Sequence, residues 1–157
     1  MSGDLHKEAQ SLPLWVHALI LGALGSSAIT VAFLPADAGR WWIIIPILIG
    51  VGVYTVFNPM TVEVDGEAMH VRFGQFGWPR WIFPIDQIED ARVVTFRPLR
   101  DYGGWGIRRG EEGYCLNERG DSGVRFEHVG NTYTVGSDDP ERLLEILRTA
   151  GADIAEA

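Results

Sequence analysis

Two long stretches without a charged side chain constrain this chain more than any other feature. The first runs from Leu14 to Leu34 and the second from Trp41 to Phe57. At a rise of about 1.5 Å per residue, helices of these lengths match a hydrocarbon core of about 30 Å, the second at the short end of the range. The sequence therefore predicts a transmembrane hairpin at 13–58, with helices at about 14–34 and 41–57.

A secretory signal peptide is the alternative interpretation of the first stretch. The segment 36–38 reads Ala-Asp-Ala, a small-residue pattern at which cleavage occurs. However, a signal peptide has a shorter apolar core and a basic start, whereas residues 1–11 hold Lys7 with the acidic Asp4 and Glu8. The hairpin is the preferred interpretation.

The distribution of basic residues predicts the side of the membrane on which the chain ends lie. A hairpin puts both ends on one side, where Lys7, Arg72 and Arg80 are found, against Arg40 alone in the predicted connection. Because short cytoplasmic segments carry an excess of Lys and Arg, both termini, including the N-terminal segment 1–12, are predicted to be cytoplasmic.

Tryptophans near the predicted helix ends indicate contact with lipid headgroups. Trp15 opens the first helix, and Trp41 and Trp42 open the second. Amphipathic rings prefer this depth of the bilayer. The aromatic segment that contains Trp78 and Trp81 follows soon after the second helix, and it has two interpretations: membrane contact, or a hairpin tip with core aromatics.

Small residues recur at every fourth position of the first helix, at Ala18, Gly22 and Ser26. Such a stripe lets another backbone approach closely, and the second helix, with Gly50, is its expected partner. The alternative is that the stripe joins two copies of the chain, which would make the protein a homo-oligomer.

The residues after Asn58 predict a mostly antiparallel β domain at 59–151. Apolar and polar residues alternate on either side of the turn Asp65-Gly66, which is a strong hairpin signal. About seven short strands are predicted, at Thr61–Val64, Met69–Phe73, Trp81–Phe83, Ile88–Phe96, Gly113–Leu116, Val124–His128 and Thr132–Val135. A C-terminal helix at about 139–150 follows, opened by the capping pattern around Pro140 and stopped by Gly151, with a tail at 152–157.

Three motifs in this domain are distinctive: Asp101–Arg108 (DYGGWGIR), Gly120–Val124 (GDSGV) and Val135–Leu143 (VGSDDPERL). In these motifs and in the order of its elements, the chain resembles small bacterial membrane proteins with a pleckstrin-homology-like (PH-like) domain. The resemblance covers most of the chain after Asn58. It implies an inner (cytoplasmic) membrane location and a bent sheet or barrel closed by one helix, in a group whose members generally have no assigned activity. Such a fold hosts many functions and does not by itself imply phosphoinositide binding.

Five arginines against one aspartate make the segment Arg92–Arg109 the most basic part of an acidic chain. Glycine backbone donors, guanidinium groups and aromatic faces together suit a headgroup phosphate or a partner carboxylate. The candidate ligand-binding residues are Arg97, Arg100, Tyr102, Trp105, Arg108 and Arg109. The alternative is a glycine-rich connection whose Trp105 packs into the core and whose arginines pair with Glu111, Glu112, Glu118 or Asp121.

Other classes of function are disfavoured by the sequence. The net charge of −8 argues against a nucleic-acid partner, and Cys115 is the only cysteine. Asp86, Glu89 and Asp90 lack a nearby histidine and the spacing of a calcium loop. No catalytic residue, metal site or cofactor is predicted.

The predicted function is therefore a membrane-anchored, non-enzymatic interaction module that binds an unidentified protein. The alternative is a domain that binds or senses anionic lipid through the arginine-rich loop.

Overall fold

The computed structural model describes residues 6–33 and 41–155. The predicted tight connection at 35–40, with Arg40, lies outside the described residues, as do the first five residues and the last two.

Two apolar helices lie near the start of the chain, α1 at Leu14–Phe33 and α2 at Trp41–Phe57. Neither contains a buried residue, so their apolar side chains cover the outside of the protein. Among the described residues, α1 is long and apolar enough to cross a bilayer, whereas α2, with 17 residues, is a shorter apolar helix. The helices predicted from the uncharged stretches are therefore present with nearly the predicted bounds.

The helices pack antiparallel, but not through the predicted small residues. His17 near the start of α1 meets Tyr54 near the end of α2, with ring centroids 5.7 Å apart. Ala18, Gly22 and Ser26 are exposed, and a Cβ added at Gly22 would touch nothing within 4 Å. The half-buried face of α1 comprises Val16, His17, Ile20, Leu24, Ser27 and Val31. This spacing follows one face of a helix and fills the interface with larger side chains, so the small-residue stripe faces away from α2.

Within the described residues the β region contains nine strands in two sheets, where the sequence predicts about seven. The first sheet is antiparallel, in the order β1-β2-β3-β4. Its strands are β1 His6–Gln10, β2 Met60–Val64, β3 Ala68–Phe73 and β4 Arg80–Pro84.

The second sheet is mixed, in the order β5-β8-β9-β7-β6, because β7 pairs parallel to β9 while the other pairs are antiparallel. Its strands are β5 Glu89–Thr95, β6 Gly106–Gly110, β7 Gly113–Asn117, β8 Ser122–His128 and β9 Asn131–Gly136. One short helix, α3 at Pro98–Asp101, lies between β5 and β6.

The strand β1 is not predicted from the sequence pattern. Its Lys7 lies opposite Glu63 of β2, with 2.7 Å between Nζ and Oε1, and Arg72 of β3 pairs with the same buried carboxylate. Glu8 accepts a hydrogen bond from the hydroxyl of Ser137 at 2.6 Å. The segment before α1 is therefore part of the β domain.

The core lies between the two sheets. Alternate residues of β2 and β3, such as Val62 and Val71, point inward, as the period of a half-buried strand requires. Phe83 of β4 meets Phe126 of β8 edge to face, with centroids 5.0 Å apart.

The C-terminal helix, α4 at Pro140–Ala150, closes the core with the fully buried Leu143 and Leu147. The side chain of Asp139 caps it by accepting the backbone N–H of Arg142 at 3.1 Å. Gly151 ends it in the left-handed conformation.

The residues after α4 are not a free tail where the structure describes them. The N–H of Ala91 donates to the carbonyl of Asp153, and the N–H of Ala155 donates to the carbonyl of Ala91, both at 3.0 Å. This segment pairs with β5, the outer strand of the mixed sheet.

Candidate site at the junction of helices and sheets

The arginine-rich loop does not form one site. Its six candidate residues are distributed over three places: an open recess, the outer face of the mixed sheet, and a cavity where the helices meet the β domain.

The open recess measures about 840 Å³ and is lined by Arg97, Arg100 and Arg109 together with Asp101, Glu111 and Glu112. Arg97 lies 4.0 Å from Asp101, measured between Nε and Oδ1, and Arg109 lies 5.2 Å above the ring of Tyr114. Glu112 pairs with Arg125, with 2.6 Å between Oε2 and Nη2. The recess therefore holds charges of both signs, and it is a mixed-charge surface rather than a dedicated anion site.

Tyr102 is buried, in contrast to its predicted role as a ligand contact. Its ring packs edge to face on Phe96, with centroids 5.9 Å apart, in a small cluster that includes Cys115. Its hydroxyl lies 3.3 Å from Thr134 Oγ1 and from Arg125 Nη2. The sequence places Tyr102 among charged residues, but α3 turns its ring onto the outer face of the sheet.

Trp105 and Arg108 line the third place, which we call the junction cavity. It has a volume of about 630 Å³. The helices contribute Ile20, Gly50, Val53, Tyr54 and Phe57, the residues flanking them contribute Leu12 and Asn58, and the β domain contributes Gly104, Trp105, Gly106, Ile107, Arg108 and Glu118. The cavity is apolar on the helix side and polar on the β side.

Two polar groups at this cavity lack partners. Glu118 is 3% exposed and its side chain makes no hydrogen bond or ion pair within the described part of the chain. Burial raises the pKa of its carboxyl from 4.5 to about 7. The indole Nε1 of Trp105 is buried and is likewise unpaired among the described residues. Unpaired buried polar groups are uncommon and need an explanation.

Arg108 completes the polar end of the cavity. Its Nε donates to the carbonyl of Trp105 at 3.0 Å, and its Nη2 lies 3.5 Å from the position that a Cβ at Gly104 would occupy. Gly104 has a φ of +139°, where a side chain would be strained. The backbone conformation therefore favours glycine at this position, whereas a Cβ would make only an ordinary contact with the guanidinium.

The predicted interface tryptophans have two different environments. Trp15, Trp41 and Trp42 are exposed on the helices, and Trp78 is 68% exposed in the turn between β3 and β4. Trp81 instead packs edge to face on the core residue Phe73. The structure thus divides the aromatic segment between surface and core.

The turn that carries Trp78 is attached to the end of α2. The N–H of Gln75 donates to the carbonyl of Thr55 at 3.3 Å. A Cβ at Gly74 would overlap the carbonyl oxygen of Val56. This close approach of the turn to α2 requires a glycine at position 74. It places the exposed rings of Phe76 and Trp78 beside the last turn of α2.

The groups considered for other chemistry are apart from the cavity. Burial raises the pKa of the Cys115 thiol to about 12, so the thiol is protonated at neutral pH and is a weak nucleophile. Asp90 pairs with Arg92, while Asp86 and Glu89 are exposed. No group of three His, Cys, Asp or Glu side chains that could hold a metal ion occurs within 6–33 and 41–155.

Glu118 is the site residue that the sequence does not single out. It appears there only as a possible ion-pair partner of an arginine. The one available signal is its position directly after the buried Leu116 and Asn117. This signal is weak, because a charged residue at the end of a strand is ordinary on a surface.

Comparison with known proteins gives no match: no family model, curated protein or solved structure is similar to this chain.

Proposed function

We propose that the chain is a membrane-anchored, non-enzymatic interaction module. In this proposal α1 and α2 form a transmembrane hairpin, and the two sheets with α4 form a PH-like domain at the cytoplasmic face of the inner membrane.

The observation that carries the proposal is the joining of the two helix ends. The strand β1 directly precedes α1, β2 directly follows α2, and the two strands pair over five residues from His6↔Val64 to Gln10↔Met60. The start of α1 and the end of α2 are thereby held at the same side of the β domain. Helices with exposed apolar side chains need an apolar solvent, and a bilayer supplies one.

The proposed PH-like fold rests on the sequence motifs and on a coarse agreement of architecture. Two mostly antiparallel sheets enclose one core, and a C-terminal amphipathic helix covers it. The parallel pairing of β7 with β9 is a departure from the expected sheet.

The proposed orientation rests on a small charge bias. Lys7, Arg72 and Arg80 lie on the terminal side, and the positive-inside rule counts such basic residues whether or not they pair with acidic ones.

Extraction and a reporter fusion test the anchor and its orientation. The full-length chain should remain in the membrane pellet after alkaline carbonate washing, and a reporter fused after Ala157 should be active only in the cytoplasm. Release by carbonate would contradict the hairpin, and activity outside the cytoplasm would reverse the orientation.

The proposed protein-binding surface is the mixed-charge recess with the neighbouring Leu99. Leu99 is an exposed apolar side chain between Arg97 and Arg100, and an apolar residue amid charges of both signs suits a protein partner. A photo-crosslinking amino acid at Leu99 should capture one discrete partner in cells. The same crosslinking group at the exposed Arg142 on α4 is the matched control. Equal labelling at both positions would exclude the recess as the protein-binding surface.

The exposed stripe of Ala18, Gly22 and Ser26 is the proposed contact between copies of the chain. Because this stripe faces away from α2, a second copy would have access to it. Replacing Gly22 with Ile should reduce crosslinked dimers of the full-length protein in membranes, whereas Leu21→Ile should not. Unchanged dimers in both variants would argue against this contact.

A second candidate function, binding of anionic lipid, is favoured by the exposed Phe76 and Trp78 beside the end of α2. Reconstitution of the full-length protein with and without anionic lipid tests it. Anionic lipid should raise the melting temperature at low salt and lose that effect at high salt. A salt-independent or absent effect would exclude this function.

A further inference from the structure

We propose that the junction cavity binds one phospholipid whose headgroup carries both a phosphate and an ammonium group. The inference rests on the proposed membrane anchoring and adds the chemical class of the ligand.

The unpaired groups of the cavity define the headgroup. Glu118 offers a carboxylate with no cation among the described residues, while the guanidinium of Arg108 offers donors for an anion. A purely anionic headgroup would satisfy Arg108 and be repelled by Glu118. A purely cationic one would satisfy Glu118 and be repelled by Arg108. A dipolar headgroup satisfies both sets.

The apolar side of the cavity defines the rest of the ligand. Ile20 and Gly50 line the junction cavity and also line a second cleft, of about 230 Å³, that lies between α1 and α2. The cleft includes Ala23, Leu24, Pro46 and Ile47, so it continues along the apolar helices away from the β domain. An acyl chain in this cleft would lie parallel to the helices, with its headgroup at the β domain.

The orientation of such a ligand agrees with its place in a bilayer. The polar end of the cavity is at the β domain and the apolar end is among the helices, which is the order of headgroup and chain in the adjacent leaflet. The occupant would therefore enter sideways from the membrane. A Cβ added at Gly50 would touch nothing within 4 Å, so there is space beside α2 at this point.

The test uses the full-length protein in detergent and native mass spectrometry. Dioleoyl phosphatidylethanolamine, which has the ammonium, is compared with dioleoyl phosphatidylglycerol, which has the same chains and phosphate without it. The wild type should retain phosphatidylethanolamine roughly tenfold better, the factor expected for one charge-assisted contact.

Three variants assign the effect to the cavity. Glu118→Gln should abolish the preference for phosphatidylethanolamine, and Arg108→Gln should weaken retention of both lipids because it removes a donor to the shared phosphate. Arg142→Gln, exposed on α4, is the matched control and should behave as wild type.

Equal retention of the two lipids by the wild type would overturn the inference, as would an unchanged preference in Glu118→Gln. Carbonate washing of membranes from the same cells separates this failure from failure of the anchor. If the protein stays in the membrane but shows no preference between the two lipids, the proposed ligand is excluded and the proposed anchor is not.

Discussion

Leu12, just before α1, donates its backbone N–H to the side-chain oxygen of Asn58, just after α2, over 3.1 Å. Asn58 is buried, so this bond closes the base of the helix pair away from water. Its position beside the junction cavity links the geometry of the helices to that of the β domain.

Replacing Asn58 with Ala should destabilise the protein by about 1–3 kcal/mol, because the Leu12 N–H loses its acceptor in a buried place. Thermal unfolding of the full-length protein in detergent, followed by circular dichroism, measures the change. Gln75→Ala is the control, because Gln75 is exposed near the same helix end and takes part through its backbone. Equal melting temperatures for both variants would show that the side chain of Asn58 is dispensable.

Gly74→Ala should be far more damaging than Gly77→Ala. Both glycines have a left-handed φ, of +69° and +63°, so both substitutions share a cost of about 1–2 kcal/mol. Only at position 74 does the new Cβ overlap backbone, at Val56, which adds about 1–3 kcal/mol. Chemical denaturation of the two variants gives the difference, and similar stabilities would mean that the turn is not held against α2.

In detergent without phospholipid, where Glu118 has no ammonium partner, Glu118→Gln should stabilise the protein at high pH and change it little at low pH. The folded-state pKa of about 7 lies above the ordinary value of 4.5, so the folded state binds more protons than the unfolded state between these values. Stability of the wild type therefore falls as pH rises through this window, by roughly 1–3 kcal/mol, and the loss is complete above it. Melting temperatures at about pH 5 and about pH 8 measure this pH-dependent loss of stability. Parallel pH profiles of the wild type and the variant would show that ionisation of Glu118 does not cause the loss.

Val129→Asn should stabilise the protein by about 1 kcal/mol. Val129 and Gly130 form a two-residue loop between paired His128 and Asn131, and Val129 has a φ of +50° although it is β-branched. Asn tolerates this conformation better and is preferred in such turns. Val129→Ala keeps the left-handed cost and serves as the comparison in thermal unfolding. If the Asn variant is no more stable than the Ala variant, the left-handed φ at position 129 does not destabilise the protein.

The elements predicted well are those that local sequence specifies. Both apolar helices follow from the absence of charge, and α4 follows from its cap, its apolar face and Gly151. These signals act over neighbouring residues and do not need the rest of the fold.

The strand β1 depends on residues far along the chain. Its sequence, HKEAQ, has little apolar alternation, and its strand conformation comes from pairing with β2 and from the contact of Lys7 with Glu63. A pattern within five residues cannot reveal such a partner.

The sequence does not indicate which side chains meet at the junction cavity. Two residues of the arginine-rich loop, Trp105 and Arg108, line this cavity. However, Tyr102 is buried against the outer face of the mixed sheet, and Glu118 reaches the cavity from the end of β7, because the fold and not the spacing decides which side chains meet. Charge counts also fail in the recess, where acidic residues from the next turn, Glu111 and Glu112, offset the arginines.

The pairing of β1 with β2 has a consequence for the order of assembly. During synthesis, His6–Gln10 emerges before both helices and finds its partner only after they have been made. With a hairpin that crosses the membrane twice, the two strands end on the same side and can pair. With a single crossing they would be separated by the bilayer, so β1 would stay unpaired and β2 would become the edge strand of its sheet. In the proposed hairpin, completion of the sheet therefore depends on insertion of both helices.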